Sequence, residues 1–174
     1  MIIKAAELVH FDRVMDFYYD LINDMENAEF PPGWKKDIYP ARQFIHDAIR
    51  QGDLYAAVED SAIIGAMVIN HDRPENYDKV SWKINADRNQ AAFIHALGVS
   101  ARRQSRGIGK KMVARAVGIC REKGLKAIRL DVLATNIPAQ KLYTSMGFLY
   151  MGTLQLFYED TGLTDFYIYE LPIE

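Results

Sequence analysis

Five cationic side chains crowd around two glycines in the segment RRQSRGIGKKM, residues 102–112. Glycine weakens a helix interior, so Gly107 and Gly109 ask for a sharp turn or for close approach by another group. An apolar run of strand length ends at Val99 just before them, and helical periodicity starts just after. The first amides of a helix lack intrahelical acceptors, and the helix dipole makes that end partly positive. A glycine turn feeding such an end is an anion site, most naturally for phosphate. Arg102, Arg103, Arg106, Lys110 and Lys111 would add charge around it. A plain helix start with solvated basic residues reads the same way, and the segment alone leaves both open. Two better-known phosphate loops are excluded, because neither G-x-x-x-x-G-K-S/T nor G-x-G-x-x-G is present.

These residues need elements to position them. MIIKAAE reads as a short strand, and across residues 10–22 the apolar Phe11, Val14, Met15, Tyr18, Leu21 and Ile22 follow helical spacing. Pro31, Pro32, Gly33 and Pro40 rule out a long regular element over residues 23–40, the longest irregular stretch. A second helix is expected near residues 41–50, ended by Gly52. LYAAVED and AIIGAMVIN form a hairpin across Asp60 and Ser61, and VSWKI (residues 80–84) is expected to extend or follow that sheet. AAFIHALGV, Ala91–Val99, is another strand. A helix from about residue 108 to 123 gathers Met112, Val113, Ala116, Val117 and Cys120 on one face, with Gly124 closing it. AIRLDVL is a buried strand, and IPAQKLYTSM is a short helix with Pro138 in its first turn. FLYMGTLQLFYE and TDFYIYEL finish as strands around a Thr161–Gly162 turn. The order is β, α, α, three or four strands, then α-β-α-β-β. It describes a mixed α/β fold with one domain over residues 1–174, without repeat or linker.

A chain of 174 residues suffices for one domain with a buried core. Hydrophobic residues at 49% and charged residues at 25% are the composition of a globular protein. A net charge of −2 offers no general attraction to nucleic acid or membrane, so a phosphate site must be local. Cys120, the only cysteine, allows no internal disulfide and argues against a thiolate metal cluster. The N-terminal residues lack the basic-then-apolar build of a signal peptide, and no stretch approaches the roughly 18 apolar residues of a membrane span. A cytoplasmic protein is expected.

Gln104, Gly107 and Gly109, as Q-x-x-G-x-G between an apolar strand and an amphipathic helix, resemble the acetyl-coenzyme A signature of the GNAT N-acetyltransferases. The segment LDVLATNIPAQKLYTSMGF is similar to that family's strand–Asn–short helix–Tyr–Gly–Phe stretch, with Asn136, Ala139, Leu142, Tyr143, Gly147 and Phe148 in the expected places. The resemblance is specific from about Phe93 to Phe148. It implies the acyl-CoA N-acyltransferase fold: a twisted, mostly antiparallel central sheet of six to seven strands with about four helices. It also implies that Ala91–Val99 and AIRLDVL run parallel and splay apart. The pantetheine arm of acetyl-CoA would enter that wedge and bond the backbone of Leu97 and Val99. Main-chain amides of Gln104, Ser105, Arg106, Gly107, Ile108, Gly109 and Lys110 would take the pyrophosphate. By the same resemblance Tyr143 is hydrogen-bond donor or general acid to the departing thiolate. No metal is implied.

N-acetyl transfer needs a neutral amine. An ammonium with a pKa of about 10.4 is neutral about once in 2,500 molecules at pH 7, which leaves roughly 4.6 kcal/mol to be supplied. Histidine titrates in the useful range, and His95 precedes Leu97 by two residues on the cofactor strand. IHALGV resembles the corresponding strand of the arylalkylamine N-acetyltransferase branch, where a histidine is the base. Core hydrogen bonding is the other use for His95, as core packing is for Tyr143. A tyrosine (about 10) is a weaker acid than a thiol (about 8.5), so hydrogen bonding to the thiolate, or a lowered phenol pKa, fits better than simple protonation. Asn136 either contacts the cofactor or caps the helix behind it. A backbone amide near Val99 is the expected oxyanion donor. Cys120 shares an apolar face and reads as inert core, which favours direct attack by the amine in a ternary complex.

The expected function is transfer of an acetyl group from acetyl-CoA to a primary amine of a small molecule or peptide. A noncatalytic acyl-CoA-binding sensor is the alternative from another class, and a longer acyl chain is a third possibility. Phe30, Trp34, Tyr39 and Tyr158 offer aromatic walls for the acceptor, and Glu26, Glu29, Asp131 or Glu159 an ammonium partner. Homodimerisation, common in the family, is left open.

Overall fold

Period-2 and period-3.6 patterning resolve into seven strands and four α-helices in a computed structural model that describes residues 1–173. In chain order they are β1 (Ile2–Ala5), α1 (Phe11–Met25), α2 (Arg42–Gln51), β2 (Leu54–Glu59), β3 (Ala62–Asn70), β4 (Ala91–Val99), α3 (Ile108–Glu122), β5 (Ala127–Leu133), α4 (Ile137–Ser145), β6 (Leu149–Tyr158) and β7 (Gly162–Pro172). The strands form one open sheet in the order β1-β2-β3-β4-β5-β7-β6. Every neighbouring pair is antiparallel except β4 and β5. The expected mixed, mostly antiparallel sheet is present. Among the described residues no helix is long and apolar enough to cross a membrane.

Both faces of the sheet are covered. On one, Val14, Tyr18 and Leu21 of α1 and Ile45 and Ile49 of α2 pack on Leu54, Ala66 and Val68. On the other, Met112, Val113, Ala116 and Cys120 of α3 join Tyr143 and Phe148 over β3, β4 and β5. The β2–β3 hairpin turns through Asp60 and Ser61, both at positive φ (48° and 64°), a two-residue turn whose twist matches the flanking strands.

Parallel pairing between β4 and β5 lasts three rungs, Ala91↔Ala127, Ala92↔Ile128 and Phe93↔Arg129, and then stops. The two strands diverge beyond Phe93. A bulge in β4 adds to the divergence: the β3–β4 register shifts between Ala66 and Val68, and Ala96 sits at φ 48°. The irregular backbone there is satisfied by side chains, since Tyr39 Oη accepts the Ala96 amide (3.1 Å) and the Tyr18 hydroxyl donates to the Ala96 carbonyl (2.8 Å).

Three boundaries differ from expectation. VSWKI is not a strand, because the amides of Lys83 and Ile84 bond the Glu170 carboxylate (2.9 and 3.1 Å) instead of a neighbouring strand. Glu170 is held in turn by Arg129 (3.0 Å), whose guanidinium also donates to the Ile84 carbonyl and lies 4.1 Å from the centre of the Trp82 ring. The first helix continues to Met25. The last hairpin turns over residues 159–161 instead of Thr161–Gly162, with Tyr158 paired to Gly162.

Candidate active site

The glycine turn is a run of left-handed residues ahead of a helix. Ser105 (φ 61°) and Gly107 (φ 76°) flank Arg106, and α3 begins at Ile108. Nothing lies within 4 Å of where a Gly107 Cβ would stand, so its positive φ explains that glycine. Gly109 has a different reason. A Cβ there would meet Leu142 Cδ2 at 3.1 Å, so this glycine lets α3 approach α4. Gln104 ties the turn to the end of β4 by donating to the Val99 carbonyl (3.1 Å), and Arg103 pairs with Glu59 (2.9 Å). Alternating left-handed backbone ahead of a helix start turns successive N–H groups toward one point, an anion-binding concavity.

That turn borders an outer chamber of about 530 Å³. Leu97, Val99, Gln104, Ser105, Gly107, Ile108, Gly109, Lys110 and Asn136 line it, whereas Arg106 is exposed and does not. Asn136 Oδ1 accepts the Ala139 amide (3.2 Å), so this side chain caps α4 while bordering the cleft.

An inner chamber of about 340 Å³ adjoins the first and shares Pro32, Trp34, Leu97, Asn136 and Ala139 with it. Tyr143, His95 and Asp131 line it. Tyr143 is 6% exposed, its ring packs edge-on against Phe148, and no described residue hydrogen-bonds its hydroxyl. Burial, reinforced by the Asp131 charge, holds its phenol above the ordinary value. A lowered tyrosine pKa is thereby overturned. His95 lies between the rings of Phe44 and Phe93, and its Nε2 donates to the Asp72 carbonyl (3.0 Å). Nδ1 is then the lone-pair nitrogen. Burial pulls the imidazole below its ordinary pKa, against a smaller opposing pull from Asp131. Burial also pushes the Asp131 carboxyl up, partly offset by the hydroxyls of Tyr77 and Tyr158, both of which donate to Oδ2.

Of the residues suggested for the acceptor, Trp34, Tyr39, Tyr158 and Asp131 line the inner chamber and Phe30 the outer one, while Glu26, Glu29 and Glu159 line neither. Asp72, Arg73 and Asp160 line it without having been anticipated. They lie in connections between strands, where no periodicity marks them. Cys120 is fully buried in the core, and burial pushes its thiol up to about 11, as suits an inert residue. Among the described residues no cluster of His, Cys, Asp and Glu is arranged to hold a metal ion.

The acetyltransferase (GNAT) family model matches residues 19–148, three quarters of the chain, including the glycine turn and α4. The chain belongs to the GNAT family. Over 145 residues this GNAT chain is 24% identical to a ribosomal-protein-alanine N-acetyltransferase described in Bacillus subtilis (strain 168), covering 82% of each. A stretch of 64 residues is 38% identical to mycothiol acetyltransferase of Acidothermus cellulolyticus, covering 37% of this chain and only 20% of that relative. Among solved structures, a GNAT-family acetyltransferase from Streptococcus agalactiae superposes with a TM-score of 0.81 at 20% identity, over 99% of this chain and 95% of that one. At that identity the likeness is one of fold.

Proposed function

We propose that this GNAT chain, working as one domain over residues 1–174, transfers an acetyl group from acetyl-CoA to a primary amine by direct attack in a ternary complex. The observation that carries this reading is the adjoining of two chambers, one bordered by the glycine turn and the other by Tyr143 and His95. The outer chamber suits the cosubstrate: a row of helix-start amides behind left-handed residues answers a diphosphate, and a cleft beside Leu97 and Val99 answers a pantetheine arm. Acetyl-CoA supplies an activated acyl carbon and a thiol leaving group. Main-chain amides from Gln104 to Lys110 hold it, with the Lys110 charge beside them. As the amine nitrogen bonds to the acyl carbon and the carbon–sulfur bond breaks, His95 Nδ1 takes the amine's proton, directly or through a water. The Tyr143 hydroxyl hydrogen-bonds the departing thiolate. With its phenol held above the ordinary value, Tyr143 keeps its proton and acts as a hydrogen-bond donor.

A thiol-release screen of amine classes with acetyl-CoA tests the activity, and Tyr143→Phe tests the site. The variant is expected to lose about tenfold or more in kcat with little change in coenzyme A affinity. An unchanged kcat removes the tyrosine from the mechanism. Tight coenzyme A binding with no turnover of any amine favours the sensor instead.

A further inference from the structure

The inner chamber carries more negative charge than acetyl transfer requires. Asp72, Asp131 and Asp160 line it beside one guanidinium, Arg73. Arg73 is paired with Asp78 and Asp72 with Arg88 (3.7 Å), which leaves Asp131 and Asp160 without an ion pair among the described residues. Tyr77 and Tyr158 both donate to Asp131 Oδ2, so no described residue hydrogen-bonds Oδ1. Asp160, only 7% exposed, accepts the Thr161 amide at Oδ1, and no other described residue bonds it. Tyr143 lines the same chamber, and no described residue hydrogen-bonds its hydroxyl. Polar atoms that face a cavity without a protein partner are free to bond a ligand that enters it. Trp34, Tyr39 and Tyr158 add aromatic faces around the space, surfaces suited to an ammonium and its methylenes.

Asp131 lies two residues past Arg129 and His95 two past Phe93, the last paired rung, so the two flank the opening on opposite strands. A carboxylate on the reacting ammonium would hold its proton in place and oppose attack. Asp131 therefore suits a charge that persists while a different amine reacts. Resting on the acetyl transfer proposed above, we propose that Asp131 Oδ1 anchors a second, non-reacting ammonium, and that the acceptor is a small aliphatic diamine. A volume of about 340 Å³ fits such a chain, and the Asp160 carboxylate deepens the negative field around it.

The test compares 1,5-diaminopentane, pentylamine and 5-aminopentan-1-ol in the thiol-release assay at fixed pH and salt. The diamine is expected to exceed the other two by about thirtyfold in kcat/KM, mostly through KM, and Asp131→Asn to reduce that preference to about threefold or less. Equal kcat/KM for the three amines, or a preference that survives unchanged in the variant, overturns the anchor and leaves acetyl transfer standing. Should Asp131→Asn fail to bind coenzyme A, the three amines on the wild-type chain decide alone. No thiol release with any amine sinks the activity instead. The anchor is then judged by calorimetry of 1,5-diaminopentane on coenzyme A-loaded protein. Binding that Asp131→Asn weakens about tenfold supports it, and absence of heat overturns it.

Discussion

His95 shows how a backbone contact sets a side chain's chemistry. Donation from Nε2 to the Asp72 carbonyl fixes one tautomer, and burial among aromatic rings favours the neutral form. Both effects suit the base role proposed for it. Because burial holds the folded pKa below the ordinary histidine value, the imidazole stays neutral down to a more acidic pH than a free histidine. Activity should therefore fall only as pH drops through that lowered value. The expected outcome is an acidic limb of kcat/KM below pH 6.5 that His95→Ala abolishes, read from the pH–rate profile. A limb that stays put in the variant assigns the proton to another group. Tyr143 stands in the opposite position. The proposed thiolate contact needs its neutral form, which burial and, to a smaller extent, the nearby Asp131 charge maintain.

At the scale of elements, α3 and α4 meet at the site through two glycines with unlike tasks. Gly107 supplies a backbone conformation, and Gly109 supplies room for Leu142 on the helix that carries Tyr143. Substituting alanine should separate these tasks. Gly107→Ala forces an L-residue into the left-handed region, at about 1 kcal/mol, lowering Tm by about 2–4 °C and weakening coenzyme A binding more than kcat. Gly109→Ala crowds Leu142 and shifts α4, so kcat should suffer more than cofactor affinity. Calorimetry with coenzyme A and thiol-release kinetics on both variants check the split. The glycine turn was legible in the sequence because a helix start, a strand end and glycine punctuation are all local signals. The separate reason for Gly109 was not, since Leu142 lies far along the chain.

Across the whole molecule, the segment between β3 and β4 is held to the sheet by a buried ion pair. Arg129 is 5% exposed and Glu170 fully buried, and together they bind Lys83 and Ile84 of that segment. The same segment brings Asp72 and Arg73 to the inner chamber and Tyr77 to Asp131. Arg129→Met leaves Glu170 buried without its cation and should cost about 3–5 kcal/mol. Urea unfolding at pH 7 measures that loss, and a raised acceptor KM should accompany it as the segment loosens. A stability within about 0.5 kcal/mol of the original would remove the clamp from this account. By itself the sequence determined the helices and all seven strands, the order of the elements and the turn ahead of α3. These follow from the periodicity of apolar residues and from local backbone preference, which neighbours along the chain express. Only the tertiary structure decided that Lys83 and Ile84 serve a carboxylate 87 and 86 residues away. The resemblance implied that β4 and β5 splay, but the structure alone set the parting after Phe93 and brought Asp72, Asp131 and Asp160 to one chamber. Which groups a buried charge meets depends on contacts between distant segments, and no local pattern encodes them.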